Sequence, residues 1–392
     1  MTTSPRPGRH PGGASSAADD AEPQARARSR PKLGHYTIHD VAALAGVSSV
    51  TASRYFNAPH KVSQKLRERL DAVVARTGYM PSQVARRLAS THGGPVGAVM
   101  QNVSSPTFAH MVRGMDDTLE AQGLQLLLAN SEYSLDTEAR AIRAFVGWHP
   151  SGLVLTRGDH DPAIETLLQT LRIPVVEAWE ILAGRPYHQV GFAQRDVGKM
   201  LAEHFLQQGA RRIRFALGGA AHDTRAERRA QGYAQAMTQA GLVADIVRVA
   251  DADDYAAGVS HMARLVQESP AQRPEAIVFA HDHLAIGALL RAPAMGISIP
   301  RDCAVAGFGD VPLAEIIEPG LTSVRTRPYE IGQQAAAALL AAMQAPPQEA
   351  VPPTVHHVAC QLAVRPSSKI DQARRTPGAA APGPSSVHGK VL

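Results

Sequence analysis

Hydrophobic periodicity divides the chain near residue 94. Between 37 and 90, apolar side chains recur at helical spacing in short bursts. Val41, Leu44 and Ala45 share one face, and Leu66, Leu70, Val73 and Val74 follow i, i+4, i+7, i+8. Thr37 with Asp40 has the form of a capping box, in which the hydroxyl takes an orphan N–H and the carboxylate reaches back. The pattern predicts a helix over 38–45 broken by Gly46. Ser48 caps a second helix running to about Phe56, which Asn57-Ala-Pro59 ends. Ser63 caps a third that Gly78 closes. After Tyr79-Met80-Pro81 a further short helix is expected over 82–89.

From Gly94 short apolar runs alternate with amphipathic stretches. Segments 95–101, 124–129, 152–155, 174–177, 213–217, 276–279 and 303–308 read as strands buried on both faces. Segments such as 108–122, 137–148, 196–208, 228–240, 257–267 and 284–294 read as intervening helices. Repeated β-α-β units of this kind make doubly wound parallel sheets, and their number fits two such sheets better than one. The flanks, 1–34 and 367–392, are rich in Pro, Gly, Ser and Ala and are expected to be disordered tails.

Composition adds exclusions. A length of 392 residues suggests two or three domains. No run of 18 apolar residues occurs, so no transmembrane helix and no membrane partner is expected. The first 30 residues lack the apolar stretch of a signal peptide, and the cytoplasm is the expected location. Two cysteines, Cys303 and Cys360, allow neither a disulfide framework nor a cysteine-only metal site. The net charge of +5 is uneven: +3 in 1–34, +5 in 35–90, −6 in 91–368 and +3 in 369–392. A basic small domain beside an acidic large one points to a polyanion partner for the small one.

Residues 37–54 have the layout of a helix-turn-helix. A small residue and Gly46 at the turn let two helices cross closely, and the second can enter a major groove. Arg54 can reach a guanine edge or a phosphate, while Thr51 and Ser53 suit phosphate oxygens. A plain helical packing module is the alternative. The stretch Asp40-Val-Ala-x-x-Ala-Gly-Val-Ser-x-x-Thr-x-Ser-Arg54-x-x-Asn57 carries more. With Val62-Ser63, Gly78-Tyr79-x-Pro81 and Ala85-Arg86-x-Leu88, it resembles the lactose-repressor family of bacterial transcriptional regulators. Later landmarks are Gly209-Ala-Arg-Arg-Ile213, Arg229 with Gly232-Tyr233, Asp282 with Gly287-Ala288, Gly307-Phe308 and Leu321-Thr-Ser-Val324, so the resemblance reaches about residue 366.

The resemblance implies an α/β protein: an N-terminal helix-turn-helix domain (35–81), a hinge helix and linker (82–93), and a two-subdomain doubly wound effector domain (94–366). The last is of the periplasmic-binding-protein-like type I and also dimerises. Ser49, Val50 and Arg54 stand where the family reads bases. Thr37, Ser48, Thr51, Ser53, Asn57 and Tyr79 complete the DNA-contacting candidates. Leu88 matches the leucine that two subunits wedge into the minor groove, where an apolar side chain unstacks a base step; an ordinary core leucine is the alternative. Ala52 departs from the family's usual Val, and Ser82 from its usual Asn. A homodimer on a pseudo-palindromic operator follows.

The resemblance also implies a ligand cleft between lobes 94–190 plus 322–352 and 191–321 plus 353–366. Gln101, Thr107, Phe108, Trp179, Arg229, His281 and Thr326 fall near it by matching position. Arg229 offers a bidentate fork for a planar anion, with a surface salt bridge as the alternative. Trp179 either stacks on a sugar or fills the core. Trp179 and Gly309 stand where many members carry Asp, His281 replaces Asn, and Ala193-Gln194 replaces Asp-Asn. This loss of acidic acceptors predicts an acidic ligand. Pro174-Val-Val-Glu177, Val190-Gly-Phe192 and Tyr255-x-x-Gly258 resemble the gluconate-operon repressor branch, making gluconate or a related aldonate the leading effector and a phosphorylated or keto-sugar acid the runner-up.

Other chemistry is weaker. His281-Asp282-His283 lacks a further His/Cys cluster for a metal site, and His356 and His357 alternate on a strand. Leu217-Gly218-Gly219 lacks the Lys-Ser/Thr of a phosphate loop. No catalytic set, metal or cofactor is expected. A solute-binding transport component and a sugar-modifying enzyme are the remaining alternatives.

Overall fold

A computed structural model describes residues 36–80, 94–218, 223–251, 253–269, 271–345 and 352–370. The chain divides into two units, residues 1–89 and 90–392, with the division falling inside the expected linker. That linker, with its hinge helix, and the tails 1–34 and 371–392 lie outside the described residues. Among the described residues no helix is long and apolar enough to cross a membrane.

In the first unit α1 (Ile38–Ala45), α2 (Ser49–Asn57) and α3 (Gln64–Thr77) follow the three expected helices. The capping box forms: the Asp40 N–H donates to Thr37 Oγ1 at 3.3 Å, and the Thr37 N–H donates to the Asp40 carboxylate at 2.8 Å. Ser48 caps α2 by accepting the Thr51 N–H at 3.2 Å. Ser63 stands at the N-cap of α3, but its side chain takes no cap hydrogen bond, contrary to expectation. Val41, Ala45, Ala52, Leu70 and Val73 form the core. Ala52 is wholly buried, so the small residue is what lets α2 sit close to its neighbours.

Among the described residues the second unit holds twelve strands. They are β1 (Val96–Met100), β2 (Leu126–Asn130), β3 (Gly152–Leu155), β4 (Val175–Glu180), β5 (His188–Phe192), β6 (Ile213–Leu217), β7 (Asp245–Arg248), β8 (Ala276–Phe279), β9 (Ala304–Gly309), β10 (Thr322–Arg325), β11 (Val355–His357) and β12 (Gln361–Ala363). Its helices are α4 (Pro106–Glu120), α5 (Leu135–Gly147), α6 (Pro162–Thr170), α7 (Gln194–Gln207), α8 (Thr224–Gln239), α9 (Asp254–Gln267), α10 (Asp282–Arg291), α11 (Pro312–Ile316) and α12 (Pro328–Gln344). One sheet has the order β11-β5-β4-β3-β1-β2 and is parallel throughout; the other runs β12-β10-β9-β8-β6-β7, with only β12 antiparallel. The seven strands read from sequence all form, because uninterrupted apolar runs suit strands covered on both faces; β2, at a sheet edge, is only partly buried, contrary to expectation.

The lobe boundaries need correction. β10, expected in the first lobe, pairs with β9 in the second sheet, and β11, expected in the second, pairs with β5 in the first. The chain therefore crosses between the lobes after β5, between β10 and α12, and between β11 and β12. The C-terminal boundary also moves. Ser367 and Ser368, expected in a disordered tail, are wholly buried. Ser367 Oγ donates to the Val305 carbonyl at 2.8 Å, and Ser368 Oγ lies 2.7 Å from Thr322 Oγ1.

Three helix pairs cross through reciprocal glycines: Gly114 and Gly332 for α4 and α12, Gly198 and Gly232 for α7 and α8, Gly258 and Gly287 for α9 and α10. A Cβ on Gly198 would stand 1.8 Å from the Arg229 carbonyl oxygen, and one on Gly232 1.9 Å from that of Arg195. No side chain fits there, so the backbones touch.

The first lobe also buries a cluster of charged groups beside β4. His160 is enclosed, with Glu138 3.3 Å from one ring nitrogen and Glu177 3.5 Å from the other. Arg185 joins Glu177 at 2.5 Å and Glu165 at 2.8 Å. Burial opposes a charge on His160, but the two carboxylates outweigh it and raise its pKa to about 9. A histidine raised in this way stabilises the folded state fully below its unfolded pKa and loses that contribution as pH climbs through the folded one. Wild-type Tm is therefore expected to fall between about pH 7 and about pH 9.5, and to fall less steeply in His160→Gln. Equal slopes by circular dichroism melting would show that His160 carries no proton in this window.

Candidate functional site

In the first unit, α2 presents Val50, Arg54 and Asn57 on one exposed face, at i, i+4 and i+7. Val50 is 67% exposed, unusual for a valine on a folded helix. The Arg54 guanidinium has no partner among the described residues. Ser49 is half-exposed beside them. The Thr51 hydroxyl lies 2.9 Å from Ser48 Oγ, and Asn57 Nδ2 donates to Ser53 Oγ at 3.2 Å. Thr37 and Ser48 act as helix caps. Tyr79 is placed in the core of the unit, its ring 5.5 Å from that of Phe56, rather than on the α2 face. Leu88 lies outside the described residues.

In the second unit the carboxyl ends of both sheets meet at a cleft. The N-termini of α4, α8, α9 and α10 converge there, each contributing first-turn residues: Thr107 and Phe108, Arg225, Asp254, and His283 with the N-cap His281. The positive dipole ends thus face the cleft, those of α8 and α9 capped by Asp223 and Asp253 and those of α4 and α10 without a side-chain cap. Its cavity is about 70 Å³, well below the ~300 Å³ at the small end of ligand pockets.

Aromatic rings line one side. Trp179 lies 5.0 Å from Phe108 and 5.7 Å from Phe192, which is 6.0 Å from Phe308. Trp179 has φ 82°, a conformation that costs a non-glycine residue about 1–3 kcal/mol. Its register partner is Gly191, where a Cβ would stand 2.5 Å from the Trp179 carbonyl carbon. The glycine makes room for the turned backbone. Trp179 is both core and cavity wall, being 3% exposed yet lining the cavity.

Arg229 lies beneath these rings, 1% exposed. Its guanidinium carbon is 4.2 Å from the centroid of Phe308, and Nη1 donates to Gln194 Oε1 at 2.5 Å. Nη2 is 4.0 Å from the Asp223 carboxylate. Nε and Nη2, one edge of the fork, make no hydrogen bond. Burial pulls its pKa down to about 10, against the pull of Asp223, and it stays charged at neutral pH. Asp223 caps α8, accepting the N–H groups of Arg225 and Ala226 at 3.1 Å, and lies 2.7 Å from His281 Nε2. Burial works against its charge, but His281, Arg229 and Arg225 hold its carboxyl well below the usual carboxylate range.

Arg225, 4% exposed, stacks over Phe108 at 5.2 Å and Tyr133 at 6.0 Å, both on the opposite lobe. Arg228 spans the lobes as well, with Nη1 2.6 Å from Glu180 and Nη2 3.7 Å from Asp159.

Of the seven residues placed near the cleft by sequence, Thr107, Phe108, Trp179, Arg229 and His281 line the cavity; Gln101 and Thr326 do not. Gln101 is buried at the end of β1, where its N–H donates to Thr156 Oγ1 at 3.1 Å. Thr326 is buried just after β10. The sequence reading did not pick out Tyr133, Arg225, Asp254, His283 or Phe308 as cavity residues, nor Asp223 as the partner of His281. One acid, Asp254, does line the cavity, while Asp223 lies outside the lining and is engaged by the start of α8 and by His281. Asp282 turns away from the cavity, accepting Ser323 Oγ at 2.6 Å and the Val311 N–H at 2.9 Å.

Comparison with known proteins bears on both units. The family described as bacterial regulatory proteins, lacI family, matches residues 37–82, and a periplasmic binding protein-like domain matches 202–368. HTH-type transcriptional regulator GntR of Escherichia coli K12 is 30% identical over 304 residues, 78% of this chain and 91% of the relative. The regulator of the same name from Pseudomonas aeruginosa PAO1 is 31% identical over 310 residues, 79% of this chain and 89% of the relative. The chain belongs to the lacI family of bacterial regulatory proteins. A solved lacI-family transcriptional regulator from Silicibacter pomeroyi has the same architecture, with a TM-score of 0.77 at 26% identity over 85% of this chain and 99% of that one. As a lacI-family member the protein is a sequence-specific DNA-binding transcriptional regulator, and the relatives named GntR agree with the gluconate-repressor resemblance.

Proposed function

We propose that this regulator is a repressor whose operator affinity is controlled by a small sugar acid, gluconate or a related aldonate, held in the cleft. The observation that carries this reading is the Arg229 fork: a buried, charged guanidinium whose Nε and Nη2 edge lacks an acceptor. A planar carboxylate meets that edge with two parallel hydrogen bonds. The polyol chain of an aldonate suits the rest of the wall, where Asn102, Ser105, Thr107 and Asp254 offer hydrogen-bonding groups and Trp179 an apolar face. A second reading, a neutral sugar, draws on Asp254 at the cavity, since a carboxylate accepts from sugar hydroxyls.

Under this reading α2 reads the major groove, with Arg54 and Val50 at base edges, and Leu88 wedges the operator centre in a homodimer. Effector binding favours one lobe arrangement over the other, and that difference in affinity is what weakens operator binding.

A thermal-shift screen tests the effector class. Gluconate at 100 times its Kd is expected to stabilise the protein by about 2.7 kcal/mol, while glucose produces no shift. A shift with glucose alone would overturn the acid reading. Arg229→Lys, which loses the planar fork, is expected to weaken gluconate at least ~10-fold. Arg54→Ala is expected to abolish operator binding in a gel-shift assay while α-helical circular dichroism is retained; specific binding by this variant would remove Arg54 from base reading.

A further inference from the structure

The cleft holds a second cation that the sequence did not single out. Arg225 sits one turn before Arg229 on α8, lines the same cavity, and is 4% exposed. Its guanidinium is held from the other lobe by two rings, Phe108 at 5.2 Å and Tyr133 at 6.0 Å. Its Nη1 is buried without a hydrogen bond. Together with Arg229 Nε and Nη2, this leaves three buried donor nitrogens on two cations lining one small cavity, none with an acceptor among the described residues. Unmet buried donors of this kind cost free energy until an acceptor arrives.

The nearby carboxylates are differently placed. Asp223 already accepts two backbone N–H groups and pairs with His281. Asp254, the acid that lines the cavity, lies on α9 in its first turn. The three free donors suit one carboxylate, while Asp254 stands at the cavity against a second negative charge. The donors call for an acceptor; Asp254 disfavours a second anionic group on the same ligand.

We propose that Arg225 is a specificity-determining residue that shares the effector carboxylate with Arg229 and makes the cleft select sugar monoacids over neutral polyols and over diacids. This rests on the sugar-acid reading above. Because Arg225 belongs to one lobe and its ring partners to the other, a carboxylate on Arg225 is felt on both sides of the cleft. Arg229, packed against Phe308 within its own lobe, lacks that property.

The test is isothermal titration calorimetry of the full chain with gluconate, glucitol (the same carbon chain with CH2OH in place of the carboxylate) and glucarate (the diacid). Wild type is expected to bind gluconate most tightly. In Arg225→Gln the gluconate-to-glucitol affinity ratio is expected to fall about 10- to 100-fold, the loss of one charge-assisted contact. Arg225→Lys keeps the charge but not the planar stack, and gives an independent reading should the glutamine variant melt early; a loss of about 5- to 10-fold for gluconate is expected. Gluconate binding in wild type with an unchanged ratio in Arg225→Gln, or unchanged gluconate affinity in Arg225→Lys, overturns the role of Arg225 alone. Tighter binding of glucarate than gluconate overturns the monoacid preference. Failure of wild type to bind any acid overturns the underlying reading together with this one.

Discussion

Taking a guanidinium wholly out of water is costly unless its charge and its donors are answered, and the cleft is organised around that cost at Arg229. Each element of the answer comes from a different part of the chain. Gln194 at the start of α7 accepts one nitrogen, Asp223 at the start of α8 supplies the opposing charge, and Phe308 at the end of β9 covers the face. Gly198 lets α7 press against the backbone of Arg229 itself. With any of these changed, the guanidinium would have to move toward water, and the wall formed by Trp179, Phe192 and Phe308 would lose its neighbour.

The same logic distinguishes the two arginines from Arg228 on the same helix. Arg228 is only partly buried and is paired with Glu180 and Asp159 across the lobes. It resembles an ordinary ion pair, worth little by itself but sensitive to the separation of its partners. Among the described residues, no carboxylate is in hydrogen-bonding contact with Arg225 or Arg229. Helix α8 thus carries one arginine satisfied by protein and two with donors to spare, all within five residues.

Much of the scaffold was legible in the chain, and less of the cleft. Apolar runs such as Val96–Met100 and Ala276–Phe279 announce buried strands; all seven named runs form strands, and β2, at a sheet edge, is the one left partly exposed. The first-unit helices were legible because their caps, Thr37, Ser48 and Gly46, are chemically specific. Arg225, Asp254 and His283 were missed for a physical reason: first helical turns are polar, so they show no hydrophobic period. The sequence started α8 at Arg228 and α9 at Ala257, whereas they begin at Thr224 and Asp254. The missing turns carry Arg225 and Asp254. The lobe assignment of β10 and β11 failed because a strand's pattern reports burial and not its neighbour: β11 pairs with β5, more than 160 residues earlier.

The reciprocal glycines carry a consequence for how such a regulator changes over evolutionary time. Gly114 with Gly332 and Gly258 with Gly287 lie along the helix bodies, while the cavity side chains lie on the helix starts and the loops before them. Substitutions at Thr107, Arg225, Asp254 or His281 can therefore accumulate without disturbing how those helices cross. Position 229 is different, since its carbonyl is what Gly198 abuts while its side chain forms the cavity floor. New ligand preferences are accordingly easiest to acquire around a retained arginine, with its surroundings free to drift and the crossing beneath it held fixed.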